Sequence, residues 1–241
     1  GLYALQEKLK SNSDRINILK ITSSDVSLPN VTGGYITKAD KTTGGDPVAW
    51  TMFSNIGSTD FIHELPKPAS VTLEQNEYIK GEFLKLDSNS GNSDFITGYP
   101  SVIDVPSFID FMLLSELSSN VDSYQFSTFF HKDRNGKLRA GPIWDYNLTY
   151  GNDLFQWGYD RSKTDVWQFA NGDNVGAGFW ANLFAESNFK CYFSKRWDEL
   201  VQTGKPFNYS SLEENIDNIE NHITEAKNRD NIKWGVLRDF T

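Results

Sequence analysis

The chain has 241 residues, of which 38% are hydrophobic and 14% aromatic, a composition that supports a packed core and argues against disorder. Its formal net charge is −9 and it has no basic tract, so nucleic acid and anionic membrane surfaces are poor candidate partners. The single cysteine, Cys191, excludes an internal disulfide, and its aromatic neighbours predict a buried, inert thiol. No apolar run is long enough to span a bilayer, so we expect no transmembrane segment.

The first third of the chain is predicted to be rich in β-strands. Short apolar runs bounded by polar turns predict strands in four places: 1–9, 16–21, 34–38 and 61–65. Two prolines, Pro66 and Pro68, then mark a change of character. After them, Thr72 and Gln75 fit a capping box, which predicts a helix that continues to about Leu86.

The remainder is predicted to be mostly helical, with one hairpin at its centre. Ser107 can cap a helix over 108–118 that is apolar nearly all round, and such a helix is expected to be buried. Further helices are predicted from Phe179 to about Gln202 and after a second capping box at Ser211. The order of strands, helices, hairpin and helices predicts an α+β fold.

The central hairpin is predicted by the turn sequence Asp133-Arg134-Asn135-Gly136, which separates two runs of apolar and aromatic residues. If Asp133 and Gly136 close the turn, the register places Tyr124 opposite Asp145 and Asp122 opposite Asn147. The same turn sequence resembles the start of a calcium loop, but the acidic ligands that should follow it are missing. We therefore interpret it as a turn.

This register would bring Asp122, Asp145 and Asn147 together, because alternate residues of a strand share a face. Two carboxylates and an amide suit a hard cation such as Mg²⁺ and the phosphates that it carries. A β-bulge between the strands would break this parity. The alternative is structural: Asp122 would stabilise the start of the hairpin, and Asp145 and Asn147 would hydrogen-bond neighbouring loops.

Several blocks of the chain resemble the CotH kinase family, named after spore coat protein H. They follow the family's order and together cover essentially the whole chain: 1–8, 33–36, 74–80, 107–110, 116–122, 141–145, 196–197 and 228–234. The resemblance implies an atypical protein-kinase-like fold that transfers phosphate from ATP to Ser or Thr of a protein substrate. It implies a partial β-rich small lobe and hinge in 1–65 and a helical large lobe carrying the acidic hairpin in 66–241.

The resemblance also implies roles for single residues, with Mg²⁺ and ATP as cofactors. Asp145 falls at the position of the kinase-type metal-binding Asp. Asp122 falls in the catalytic loop, where it would orient or deprotonate the acceptor hydroxyl or share the metal. Asn147 would be a supporting metal ligand, and Glu7 and Lys8 would lie near the lobe junction where adenine binds.

The chain has no glycine-rich phosphate loop followed by a strand lysine, features that the family carries upstream of the Gly1 equivalent. We therefore expect activity in the intact parent protein and an inactive truncated fragment here. The acidic net charge suits a basic protein substrate. A protein substrate rich in serine is the other expectation. The family's habit places the protein outside the cell or in the cell envelope of a bacterium.

A second interpretation is a non-catalytic extracellular or cell-envelope module that binds a glycan or another protein. The missing phosphate loop and the tryptophan-rich stretch 157–180 favour it. Trp157 and Trp167 are the candidate contacts, because an indole ring can stack on a sugar.

Overall fold

The structure, a computed structural model, describes residues 7–152 and 165–235. These fall into two compact units, one within residues 10–193 and the other formed by 7–9 together with 194–235. The sheet, the acidic positions 122 and 145, and Asn147 belong to the first unit. Within the described ranges, no helix is both long enough and apolar enough to cross a membrane.

The first unit contains a five-stranded sheet in which all neighbouring strands are antiparallel, in the order β2-β3-β1-β4-β5. The strands are β1 (Tyr35–Ala39), β2 (Trp50–Phe53), β3 (Ser58–Leu65), β4 (Thr128–Lys132) and β5 (Arg139–Ala140). Because β4 pairs with β1 along its whole length, the central hairpin is joined directly to the strands of the first third. The proposed lobe boundary between 65 and 66 stays a prediction.

Six α-helices complete the part of the chain that the structure describes, together with short 3-10 turns at Asn30–Thr32, Thr42–Gly44 and Gln168–Ala170. The helices are α1 (Leu73–Asn89), α2 (Tyr99–Val102), α3 (Val105–Leu117), α4 (Phe179–Ala185), α5 (Ser187–Leu200) and α6 (Tyr209–Trp234). The α+β fold class is confirmed.

The strand predictions are partly confirmed. The runs at 34–38 and 61–65 form β1 and β3, whereas the run at 16–21 forms no strand. It lies beside the sheet: the Ile21 amide donates to the Gly34 carbonyl at 3.0 Å, and the Leu19 amide donates to Asp133 Oδ1 at 2.9 Å. Residues 7–9 of the first predicted strand are irregular, and the rest of that run lies outside the described residues. The sequence reading missed β2.

The helix starts show which capping signals operate. Thr72 and Gln75 form the predicted capping box, with the Gln75 amide donating to Thr72 Oγ1 at 3.3 Å and the Thr72 amide to Gln75 Oε1 at 3.2 Å. The cap of α3 is Asp104 rather than Ser107, since its carboxylate accepts from the Ser107 amide at 3.0 Å. The predicted capping box at Ser211 is also wrong, because α6 begins at Tyr209 and its N-cap residue is Asn208.

The predicted helix 179–202 is divided into α4 and α5 at Glu186. This residue has extended backbone angles, and its Oε2 accepts from the Phe189 amide at 2.9 Å, which caps α5. Cys191 is exposed, so the prediction of a buried thiol is wrong. Phe189 and Phe193, four positions apart, take the buried face of α5, and Cys191 lies off that face.

Aromatic rings fill the core of the first unit and hold α1, α3 and α4 against the sheet. The ring of Phe83 in α1 lies 4.9 Å from that of Phe61 and 5.1 Å from that of Phe130, centre to centre. The Trp180 ring of α4 lies 5.4 Å from the Phe111 ring of α3. Such pairs contribute about 0.5–1.5 kcal/mol each beyond area burial. They fix α3, whose end leads directly into the Asp122 segment.

Candidate active site

The predicted hairpin forms, but it is short and its register is shifted by one residue. The turn closes as expected, with the Gly136 amide donating to the Asp133 carbonyl at 3.0 Å. The ladder pairs Phe130 with Ala140, not with Arg139 as the predicted register requires. Because strand pairing does not extend back to residues 122–126, the predicted cross-strand facing of Asp122 with Asn147 and of Tyr124 with Asp145 is wrong.

The ladder is limited at its open end, and β5 is bound on its other side by a third segment. The Gly141 amide still donates to the Phe129 carbonyl of β4 at 2.7 Å, whereas Leu138, next to the turn, faces away from β4: its amide donates to the Val102 carbonyl at 3.0 Å and its carbonyl accepts from the Asp104 amide at 2.8 Å. At the other end of β5, Gly141 adopts φ +99°, a left-handed conformation that glycine tolerates and that turns the chain away from β4. The residues after Gly141 therefore form a loop.

The two acidic segments approach each other again beyond the hairpin. The Val121 amide donates to the Leu148 carbonyl at 3.4 Å, and the Tyr150 amide donates to the Ser118 carbonyl at 2.7 Å. Asp122 follows Val121 directly, and residue 147 precedes Leu148 directly. The structure thus brings these loops together by a pair of loop–loop hydrogen bonds instead of a strand ladder.

Asp145 is exposed and has a left-handed backbone, with φ +60°. Aspartate tolerates this region better than most residues. With its amide group turned so that the nitrogen faces Asp145, Asn147 donates to Asp145 Oδ1 at 3.0 Å and to the Asp145 carbonyl at 3.1 Å. In this conformation the nitrogen of Asn147 orients the carboxylate, and its carbonyl oxygen keeps the lone pairs that a cation would use. Its role as a metal ligand stays a prediction.

Asp122 lies in a tight turn at the end of the α3 connection. Its amide donates to Asn120 Oδ1 at 3.2 Å, and its carbonyl accepts from the Phe126 amide at 2.8 Å. The carboxylate is largely enclosed, with the side chain 12% exposed, and its Oδ2 lies 3.8 Å from the Lys41 ammonium. The Lys41 ammonium also lies over the Phe126 ring, 4.4 Å from its centre.

Asp40, at the end of β1, connects the strand to the segment that enters β4. Its Oδ1 accepts from the Lys41 amide at 2.9 Å and from the Ser127 amide at 3.4 Å, while Oδ2 pairs with the Lys38 ammonium at 3.2 Å. Ser127 lies five residues after Asp122. Here its backbone has φ +48° and serves to anchor the Asp122 loop.

Hydrogen bonds to Ser115 and Glu116, near the end of α3, fix residues of both acidic loops. Tyr124 donates its hydroxyl to Glu116 Oε1 at 2.7 Å, and the Gln168 amide donates to Glu116 Oε2 at 2.7 Å. Next to it, the Ser115 and Tyr146 hydroxyls are 2.9 Å apart. Burial raises the pKa of Glu116, and the hydrogen bond from Tyr124 acts in the opposite direction. Three chain segments are thereby fixed to one helix end.

We expect Glu116→Gln to lower the free energy of unfolding by about 1–3 kcal/mol, because one of its two donors then loses its acceptor. Urea unfolding of Glu116→Gln, Tyr124→Phe and the double variant measures this loss as a double-mutant cycle. The double variant should lose less than the sum of the single losses. Strictly additive losses would show that Glu116 and Tyr124 do not stabilise the loop as a unit.

Asp122 and Asp145 are the two carboxylates that could hold Mg²⁺, the cation that the sequence implies. In the ranges that the structure describes, no three His, Cys, Asp or Glu side chains are grouped as a metal site. Mg²⁺ is commonly held by one or two carboxylates, with substrate phosphates and waters completing its shell. An exposed Asp145 and a partly enclosed Asp122 fit that limited demand, so the residues suit a metal that arrives with a nucleotide.

The other predicted binding residues lie elsewhere in the chain. Glu7 and Lys8 are exposed and belong to the second compact unit, so their role in adenine binding stays a prediction. Trp167 is 43% exposed, and its ring packs 4.8 Å from that of Phe184 and 5.9 Å from that of Phe169. These contacts are typical of an aromatic anchor. Trp157 lies outside the described residues.

Three residues at this site received no role from sequence reasoning: Asp40, Lys41 and Glu116. The only sequence signal for the first two was weak: they are a charged pair that begins two residues after the end of the predicted strand 34–38. Glu116 lies in a block that resembles the family, but only its contacts reveal what it does.

Comparison with known proteins gives one match. The family model described as CotH kinase protein matches residues 1–240. No curated protein and no solved structure matches the chain.

Proposed function

Because the chain belongs to the CotH kinase family, we propose that it carries the catalytic loop and metal-binding Asp of a kinase that phosphorylates Ser or Thr hydroxyls of a protein. The observation that supports this most is the meeting of the Asp122 and Asp145 loops through the Val121–Leu148 backbone bond. Two carboxylates on adjoining loops are among the groups that phosphoryl transfer from a magnesium nucleotide uses.

Asp122 is the proposed base. It accepts the proton of the acceptor hydroxyl as the oxygen–phosphorus bond forms and the bond between the γ-phosphorus and the departing ADP breaks, ADP keeping the electron pair. The enclosed position of its carboxylate restricts the directions from which a hydroxyl can approach. Asp145 would hold Mg²⁺, which neutralises phosphate charge when bound. Asn147 keeps the Asp145 carboxylate oriented.

The substrate proposed is a protein, basic or rich in serine, because the formal net charge of −9 favours association with cationic segments. The proposed location is outside the cell or in the cell envelope. The glycan-binding alternative gains no support from Trp167, whose ring is engaged with phenylalanines.

Binding of a non-hydrolysable ATP analogue to the natural full-length protein tests the proposal directly. A ligand at about 100 times its Kd stabilises a protein by about 2.7 kcal/mol, which corresponds to a rise of about 5–10 °C in Tm for a chain of this size. We expect this rise with Mg²⁺ present and a smaller one with a chelator. Differential scanning calorimetry and isothermal titration calorimetry measure it.

The matched variant is Asp145→Asn, because asparagine also tolerates the left-handed backbone found here and removes only the charge. It should lose the magnesium-dependent part of the shift. Asp14→Asn, at an exposed turn, makes the same change of charge and should behave as wild type. If the intact wild-type protein shows no shift with the analogue and Mg²⁺, the kinase function is wrong.

A further inference from the structure

The side chain of Lys41 reaches the proposed catalytic residue from the end of β1. Its ammonium lies 3.8 Å from Asp122 Oδ2 and 4.4 Å from the centre of the Phe126 ring. The backbone is anchored at the same place, since the amides of Lys41 and Ser127 both donate to Asp40 Oδ1. Lys41 is therefore held beside the Asp122 loop by its main chain as well as by its side chain.

The Lys41 ammonium is more exposed to solvent than the Asp122 carboxylate. The Lys41 side chain is 48% exposed, against 12% for Asp122. A pair at this separation with a half-exposed ammonium is screened by solvent and contributes little to stability. The ammonium can thus turn from Asp122 toward another anion within its reach, while the aromatic face of Phe126 limits the positions that it samples.

We propose that Lys41 binds the γ-phosphate of the nucleotide and neutralises charge on its oxygens during transfer. The inference rests on the proposed kinase function and adds a residue to it. Phosphoryl transfer depends on cations placed at the oxygens of the moving group. Lysine serves such groups as a compact point charge. With Lys41 beside Asp122, the cation and the base act on the same reacting centre.

The test compares two nucleotides that differ in the third phosphate. Titration calorimetry on the natural full-length protein with Mg²⁺ gives Kd for ADP and for an ATP analogue with a non-hydrolysable γ-phosphate. Lys41→Met should weaken binding of the analogue about 10-fold or more, the range for loss of a charged hydrogen bond, and should leave the Kd for ADP nearly unchanged. Lys41→Arg, which keeps the charge, should restore most of the preference.

The preference for the triphosphate separates a ligand contact from a structural role, because a lysine that only holds the loop would affect both nucleotides alike. Lys67→Met is the control, since Lys67 is also an exposed lysine paired with an acid, Glu64. Lys41→Gln is the second neutral variant should Lys41→Met fail to fold. Equal Kd changes for both nucleotides, or none, would overturn the inference while wild-type binding still supports the kinase. Absence of binding by the wild type would overturn both.

Discussion

Replacement of Asp122 by Asn should lower the rate of phosphoryl transfer by the natural full-length protein by about 10³-fold, with little change in its Tm. Asparagine has the shape of aspartate but accepts no proton at neutral pH, and loss of a positioned base costs about 10²–10⁴ in rate. The backbone bonds that fix the loop, from the Asp122 amide to Asn120 and from Phe126 to the Asp122 carbonyl, remain available. Initial rates with labelled ATP and a serine-containing protein acceptor measure the effect.

Asp60→Asn is the matched control for this variant. Asp60 lies on β3 and its carboxylate accepts from the Thr51 hydroxyl at 2.7 Å, a contact that asparagine can also make. The control should keep a rate close to that of the wild type. If Asp122→Asn transfers phosphate nearly as fast as Asp60→Asn while remaining folded, Asp122 is not the base.

Elements that depend on neighbouring residues were predictable from the sequence. The capping box of Thr72 and Gln75 formed, and so did the turn closed by Asp133 and Gly136, because each makes its hydrogen bonds within one short segment. The end of the same hairpin was not predictable. It depends on Gly141, whose left-handed backbone turns the chain away from β4, and on the bond from Val121 to Leu148, which joins segments far apart in sequence.

The candidate site was likewise predictable in part. The resemblance to the CotH kinase family indicated Asp122 and Asp145, and the family match supports the resemblance. Their proposed meeting on a strand ladder was wrong, although the loops do meet through Val121 and Leu148. Lys41 could not be placed, because its contact with Asp122 exists only once β1 pairs with β4. Sheet order depends on packing between distant segments, which a single sequence does not display.

Replacement of Glu82 by Leu should lower the free energy of unfolding by about 3–5 kcal/mol, because it leaves a buried ammonium without its counter-ion. Glu82 of α1 pairs with Lys132 of β4 at 3.4 Å, and their side chains are only 9% and 4% exposed. Burial lowers the pKa of Lys132, and Glu82 acts to raise it. The charged lysine is therefore costly to keep in this position unless the carboxylate is present.

The opposite variant, Lys132→Met, should be less destabilising. Glu82 would keep a second cation, since the Lys85 ammonium lies 3.1 Å from Glu82 Oε1 near the surface. Lys132 also donates to the Thr32 carbonyl and, at 3.4 Å, to the Tyr78 hydroxyl, and both of those partners are neutral. The asymmetry predicts that the loss for Glu82→Leu exceeds the loss for Lys132→Met.

The double variant Glu82→Leu/Lys132→Met should recover much of the stability that Glu82→Leu loses, because buried ion pairs replaced by apolar residues are often close to neutral. Guanidinium unfolding of the four proteins gives the coupling energy. Losses that simply add would show that the pair does not act as a unit. Lys132 is the last residue of β4, whereas the Asp122 loop joins β4 at its first residue, Thr128. Because the two lie at opposite ends of the strand, the folded fraction of each variant should bind nucleotide as the wild type does. A change in nucleotide affinity would mean that the two ends of β4 are coupled.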